Sequence, residues 1–234
     1  MLRNAARFLM VSAAASLVSL GSASAEACSD VADAALALIA SQTPSGNGAS
    51  FFTLAMKTQS GYSSGDIAQL WGSTSPDSNL YYNHILAGNH FTQVTNIADI
   101  AAGDIMVIDE VWENGVRKYS GHTVIATGPA EPITAMNPVY SGTLQYALPI
   151  ADATSSVHGC SSFYEDSRWP DGCTTGTFTA GPGTAFMRLY ADATTGALEG
   201  YTWSVTSGGT YYSPSKRPYA IGRLTSCFPT PDDV

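Results

Sequence analysis

Seven short runs between residues 91 and 223 either alternate in polarity or stay apolar, and a chain with that pattern has to bury them in a β-sheet. They are 91–94, 104–108, 122–127, 144–152, 184–191, 198–205 and 219–223. Two of them open on a glycine and a polar residue: Gly103-Asp104-Ile105-Met106-Val107-Ile108 and Gly121-His122-Thr123-Val124-Ile125-Ala126. The β-branched residues after His122 belong inside a sheet, which leaves the imidazole at the first position of its strand, where chemistry is usually placed. Taken alone, a Gly-His pair is more often a solvated turn. Asn114-Gly115 and Thr195-Gly196 have the chemistry of hairpin turns.

The front third reads as helical. Ser29 or Asp30 can cap a helix through Val31, Ala34, Leu36, Leu38 and Ile39, halted by Pro44-Ser45-Gly46. A second is predicted over 49–58, and a third, capped by Ser64 or Asp66, runs through Ile67, Leu70 and Trp71. Ser75-Pro76-Asp77 opens a fourth that Gly88 stops. Helices first and an antiparallel sheet afterwards predict an α+β class, with N-terminal helices packed on the sheet. No strand leads through a glycine-rich loop into a helix, which argues against a nucleotide-binding fold.

The N-terminus carries Arg3 and Arg7, an apolar stretch from Phe8 to Leu20, and the small residues Ala23-Ser24-Ala25. This is the pattern of a secretory signal peptide over residues 1–25, too short and wrongly flanked for a stable membrane anchor. The remaining 26–234 suit a single domain, exported to the periplasm or beyond the cell and expected as a monomer. Losing the two arginines takes the net charge from −9 to −11, which excludes the basic footprint that nucleic-acid binding needs. The four cysteines are Cys28, Cys160, Cys173 and Cys227, an even count that in an oxidising compartment suggests disulfides. Cys160 and Cys173 bracket a short loop that a bridge between them would staple, worth roughly 3 kcal/mol in the loop-entropy account. Cys28 is left either to bridge to Cys227 or to serve as a free thiol. The Cys and His spacings contain no metal-binding pattern, and no cofactor is expected.

Strands 122–127 and 144–152 are natural antiparallel neighbours, so the start of one lies beside the end of the other. That sets His122 beside Asp152, and a carboxylate there can fix the tautomer of an imidazole held as general base. Cys28, near the start of the first helix, has the setting that favours a thiolate. A helix-borne Cys followed by a strand-borne His and a polar residue on the next strand is a papain-type order.

With Gly103-Asp104-Ile105, Gly121-His122-Thr123-Val124-Ile125, Asp152-Ala153-Thr154-Ser155-Ser156-Val157-His158, Asp166-Ser167-Arg168, Tyr201-Thr202-Trp203-Ser204 and Ala220-Ile221-Gly222-Arg223, the chain resembles the secreted NlpC-type papain-like cell-wall peptidases over roughly residues 95–224. At the front only Cys28-Ser29 matches the family's Asp-Cys-Ser-Gly. The resemblance implies hydrolysis of amide bonds in peptidoglycan peptides: Cys28 attacking, His122 moving the proton and Asp152 orienting it. His158, Arg168 and Trp112 are the accompanying substrate-binding candidates: Arg168 to hold a carboxylate or pair with a neighbouring acid, Trp112 to stack on substrate. The alternative is an inactive, disulfide-stapled relative that binds cell-wall fragments or has a structural role in the envelope.

Overall fold

The computed structural model describes residues 26–169, 173 and 176–225; the segment 1–25, expected to be a signal peptide, and Cys227 lie outside them. Four helices come first: α1 (Glu26–Ala40), α2 (Ala49–Ser60), α3 (Ser64–Trp71) and α4 (Ser78–Ala87). The strands follow as β1 (Phe91–Val94), β2 (Ile105–Ile108), β3 (Val111–Glu113), β4 (Val116–Tyr119), β5 (His122–Ala126), β6 (Glu131–Pro132), β7 (Thr143–Thr154), β8 (Gly181–Asp192), β9 (Leu198–Thr202) and β10 (Tyr219–Leu224). The main sheet runs β1-β10-β2-β5-β7-β8-β9, with β6 added on β7, and every pairing is antiparallel. The chain is therefore α+β, helices then sheet, as its pattern predicts.

The helix boundaries shift from expectation where the capping chemistry differs. α1 begins at Glu26, so Ser29 and Asp30 lie inside it rather than capping it. The cap of α3 is Ser63: its hydroxyl accepts from the Asp66 amide while Asp66 accepts from the Ser63 amide, a reciprocal box. Asp77 caps α4 by accepting from the Leu80 amide, and Gly88 ends that helix in the left-handed conformation.

β2 is apolar at every position because both faces of the sheet are covered. Ile105 and Val107, with Ile125, Ala151 and Ala153, face the helices and meet Val31, Phe51, Phe52, Met56, Trp71 and Tyr81. Met106 and Ile108 point the other way, to Val124, Leu148, Ile150, Met187, Leu189 and Tyr201. Each large side chain fully buried in these layers contributes roughly 2–3 kcal/mol. β7 and β8 pair over twelve residues, from Thr143 opposite Asp192 to Thr154 opposite Gly181, longer at their site-facing ends than the predicted 144–152 and 184–191. β9 instead stops at Thr202, short of the predicted 205. The Thr202 hydroxyl donates to the Ser204 carbonyl, and the chain turns so that Trp203 leaves the sheet.

One cation is enclosed against the outer strands β7, β8 and β9, on the face opposite Met187 and Leu189. Arg188, with no exposed surface, meets no carboxylate among the described residues. Its guanidinium donates to the carbonyls of Met136 and Asn137, to Gln145 Oε1 and to Thr202 Oγ1, and stands over the Tyr190 ring. It ties the 136–138 loop, which contains the cis Asn137–Pro138 bond, to β7, β8 and β9.

Candidate active site

β5 and β7 pair as Ile125 with Ala151 and Ala126 with Ile150, so His122 and Asp152 project from neighbouring strands on the sheet face away from the helices. His122 Nε2 lies 2.7 Å from Asp152 Oδ2. The same oxygen is 2.7 Å from His158 Nε2, delivered by the loop that follows β7. A carboxylate only accepts, so both imidazoles carry their proton on Nε2 and both Nδ1 atoms are left to face elsewhere. Asp152 is wholly buried, and His122 keeps 12% of its side-chain surface. Burial on its own would raise the Asp152 pKa; the two imidazoles, through charge and hydrogen bonds, hold it well below the usual carboxylate range.

The other Asp152 oxygen, Oδ1, accepts from Arg168 Nη1 at 2.8 Å. Arg168 Nε and Nη2 reach the two oxygens of Asp166 at 2.7 and 3.1 Å. Burial would lower the Arg168 pKa, and the two carboxylates more than offset it, so the pKa is raised. Of the two tasks expected for Arg168, the structure shows the internal pairing: the buried guanidinium meets Asp152 and Asp166 and does not line the pocket that His122 opens on. Its stem fits because Gly183, opposite Asp152 in the sheet, has no side chain; a Cβ there would lie 2.7 Å from Arg168 Cγ. Arg168 and Asp166 lie within the loop closed by the Cys160–Cys173 disulfide, whose Cα atoms are 5.2 Å apart, and His158 lies two residues before it, so that bridge staples the segment bearing much of the network.

His122 Nδ1 faces the start of α2. The residue there is Gly48, at φ 53° and ψ −111°, a backbone conformation that penalises any side chain. A Cβ built on Gly48 would lie 2.9 Å from His122 Nδ1 and 3.2 Å from the Thr123 amide nitrogen. The Gly48 amide donates to the Ala153 carbonyl at 2.9 Å and pins the helix start to β7. Among the described residues no hydroxyl or thiol is hydrogen-bonded to His122 Nδ1. Cys28 belongs to the first turn of α1, and its side chain lies outside the described residues.

Above the imidazoles is a cavity of about 530 Å³. Its wall includes Gly48, His122, His158, Trp203, Tyr119 and Arg217. Trp203 stacks on His158, centroids 5.0 Å apart at 16°, and presents its ring to His122 at 81°. Trp112 is 55% exposed on the β3–β4 hairpin and is not part of this wall. One ligand atom each from His122, Asp152 and His158 lies within 4.8 Å of the others, a set that can converge on a divalent cation. Their spacing is that of direct hydrogen bonds, and the Arg168 cation on Oδ1 opposes a second positive charge. Chemically the site offers an imidazole anchored on one nitrogen by a buried carboxylate and open on the other, beside the positive end of a helix.

Gly48, Trp203 and Arg217 carry no site assignment in the sequence pattern. Trp203 lies within a motif that otherwise reads as a closing strand. Lys216-Arg217 is a basic pair in an acidic chain, which is the signal that was there to find it.

No protein-family model matches the chain, and no solved structure matches it. Among curated proteins it is similar to "Uncharacterized protein R653" of Acanthamoeba polyphaga mimivirus, 26% identical over 164 residues that cover 68% of each chain. Among the described residues, no helix is long and apolar enough to cross a membrane.

Proposed function

We propose that this is an exported protein that binds cell-wall peptide fragments without cleaving them, built on an NlpC-type papain-like frame in which Gly48 stands where the nucleophile would be. The observation that carries the reading is the direction of His122 Nδ1. A strand-borne imidazole oriented by a buried carboxylate and aimed at a helix start is the arrangement that activates a nucleophile. Here the position it faces has no side chain, at a backbone conformation that resists acquiring one. The aromatic and hydroxyl-rich wall of the cavity, with Trp203, Tyr119 and Tyr212, suits a polar ligand with apolar stems.

A second reading is favoured by one feature. Cys28 lies in the first turn of α1, a helix that packs on β5 and β7, the strands bearing His122 and Asp152. If that thiol meets His122 Nδ1, the protein is a Cys28-His122-Asp152 amidase acting on peptidoglycan peptides. The test is to incubate the exported protein and its Cys28→Ala variant with purified stem peptides, reading binding by calorimetry and cleavage by mass spectrometry. Binding without cleavage, unchanged in Cys28→Ala, is the expected result. Cleavage that disappears in Cys28→Ala would overturn it in favour of the amidase, and absence of both would overturn both readings.

A further inference from the structure

Arg217 is the cation of the cavity wall, and its setting differs from that of Arg117, Arg168 and Arg223. Each of those three meets a carboxylate. Arg217 meets none among the described residues. Its guanidinium is instead held between two aromatic rings, 4.1 Å from the Tyr119 centroid and 3.9 Å from that of Tyr212. Both rings belong to the same cavity wall. Lys216 adds a second cation 5.5 Å from the Tyr212 ring.

The position is preset by backbone. The Arg217 amide donates to the Ser213 carbonyl at 2.9 Å, closing the 213–217 turn, and Tyr212 is fixed by reciprocal hydrogen bonds with Tyr201. Tyr119 ends β4, so the clamp is assembled from two separate segments. Tyr119 supplies no counter-charge: burial pushes its hydroxyl above the ordinary range despite the neighbouring guanidinium, and the same holds for Tyr201 behind the clamp. The acid in the same wall, Asp77, is engaged in capping α4 and lies beyond ion-pair distance of Arg217. A guanidinium flattened between two rings keeps its planar edge for a bidentate acceptor.

We propose that Arg217, clamped by Tyr119 and Tyr212, is the recognition site for a carboxylate of the ligand, and that the cavity selects peptides carrying a free carboxylate over their amidated forms. This deepens the cell-wall reading and rests on it for the identity of the peptide; the carboxylate preference itself does not.

The test uses the full exported chain and follows the ring-proton signals of His122 and His158 during titration. The probes are succinate, succinamide, a stem peptide with free carboxylates and the same peptide fully amidated. Succinate and the free-acid peptide are expected to bind, with the amides at least about tenfold weaker. Arg217→Gln should remove that preference, and Arg217→Lys should restore part of it. Equal affinity of acid and amide for the native protein, a comparison that needs no variant to fold, would overturn the carboxylate site while leaving the cell-wall reading intact. Succinate binding through Arg217 with no gain for the stem peptide would uphold the site and remove the cell-wall reading. No shift with any probe would overturn both.

Discussion

At the scale of single residues the site is organised around Asp152, whose two oxygens accept from three side chains. His122 beside Asp152 was legible in the sequence, because antiparallel neighbours put the start of one strand next to the end of the other. The His158 and Arg168 bonds were not, since they depend on how residues 155–169 fold back beyond β7, and no periodicity encodes that. Arg168→Met should cost about 3–5 kcal/mol in urea unfolding, because it strands two buried carboxylates. Asp152→Asn tests the electrostatics through pH. The folded-state pKa of Asp152 is lowered, so its contribution is fully present above the ordinary Asp value of about 3.9 and is lost as pH falls below that toward the folded-state value. The stability gap between native protein and Asp152→Asn, followed by urea midpoints, should therefore be constant near neutrality and narrow in strong acid. A gap that widened in acid would contradict the assignment. Gly48 was illegible for another reason: a missing side chain gives no signal until the group facing it is seen.

At the scale of elements, pattern and outcome agree most closely where a strand or helix is fixed by its own residues. Asn114 and Gly115 both take positive φ and turn β3 into β4, as that dipeptide should. Agreement weakens where tertiary bonds decide the boundary, as at the end of β9, which Thr202 and Trp203 set by turning toward other segments. Arg188 is the extreme case. A charged residue inside an apolar strand reads as outward-facing, yet it is enclosed because carbonyls of the 136–138 loop converge on it. Arg188→Met should leave those carbonyls unsatisfied and lower stability by about 2–4 kcal/mol, measured by thermal or urea unfolding. The far-UV signature of the sheet should persist.

At the scale of the whole molecule, the sheet has two covered faces with different tasks. One is an ordinary aliphatic and aromatic core under the helices. The other carries, at one end, the buried ionic network and the cavity. The α+β class and the order of helices before strands were readable from the chain, since they follow from periodicity. The shape of the cavity was not, because its wall is drawn from six separated segments. The Cys160–Cys173 bridge joins the two scales by closing the loop on which Asp166 and Arg168 sit, two residues beyond His158. Replacing both cysteines by serine should lower stability by roughly 3 kcal/mol. It should also broaden the His158 ring signals in NMR spectra while leaving the helical core unchanged. Sharp native-like His158 signals in that variant would show that the ionic network holds the loop without help.

The unbroken pairing of β7 with β8 also restricts how this gene can change length. Ala151 and Ala153 belong to the helix side, whereas Leu148, Ile150 and Asp152 belong to the other. One codon gained or lost between Thr143 and Asp152 would send the carboxylate into the aliphatic core and an alanine into the cavity. Two codons would restore the side but move Asp152 along the strand, away from His122. Divergent copies of this protein should thus vary in length in their loops, and hold a parity in β7 that no single insertion can satisfy.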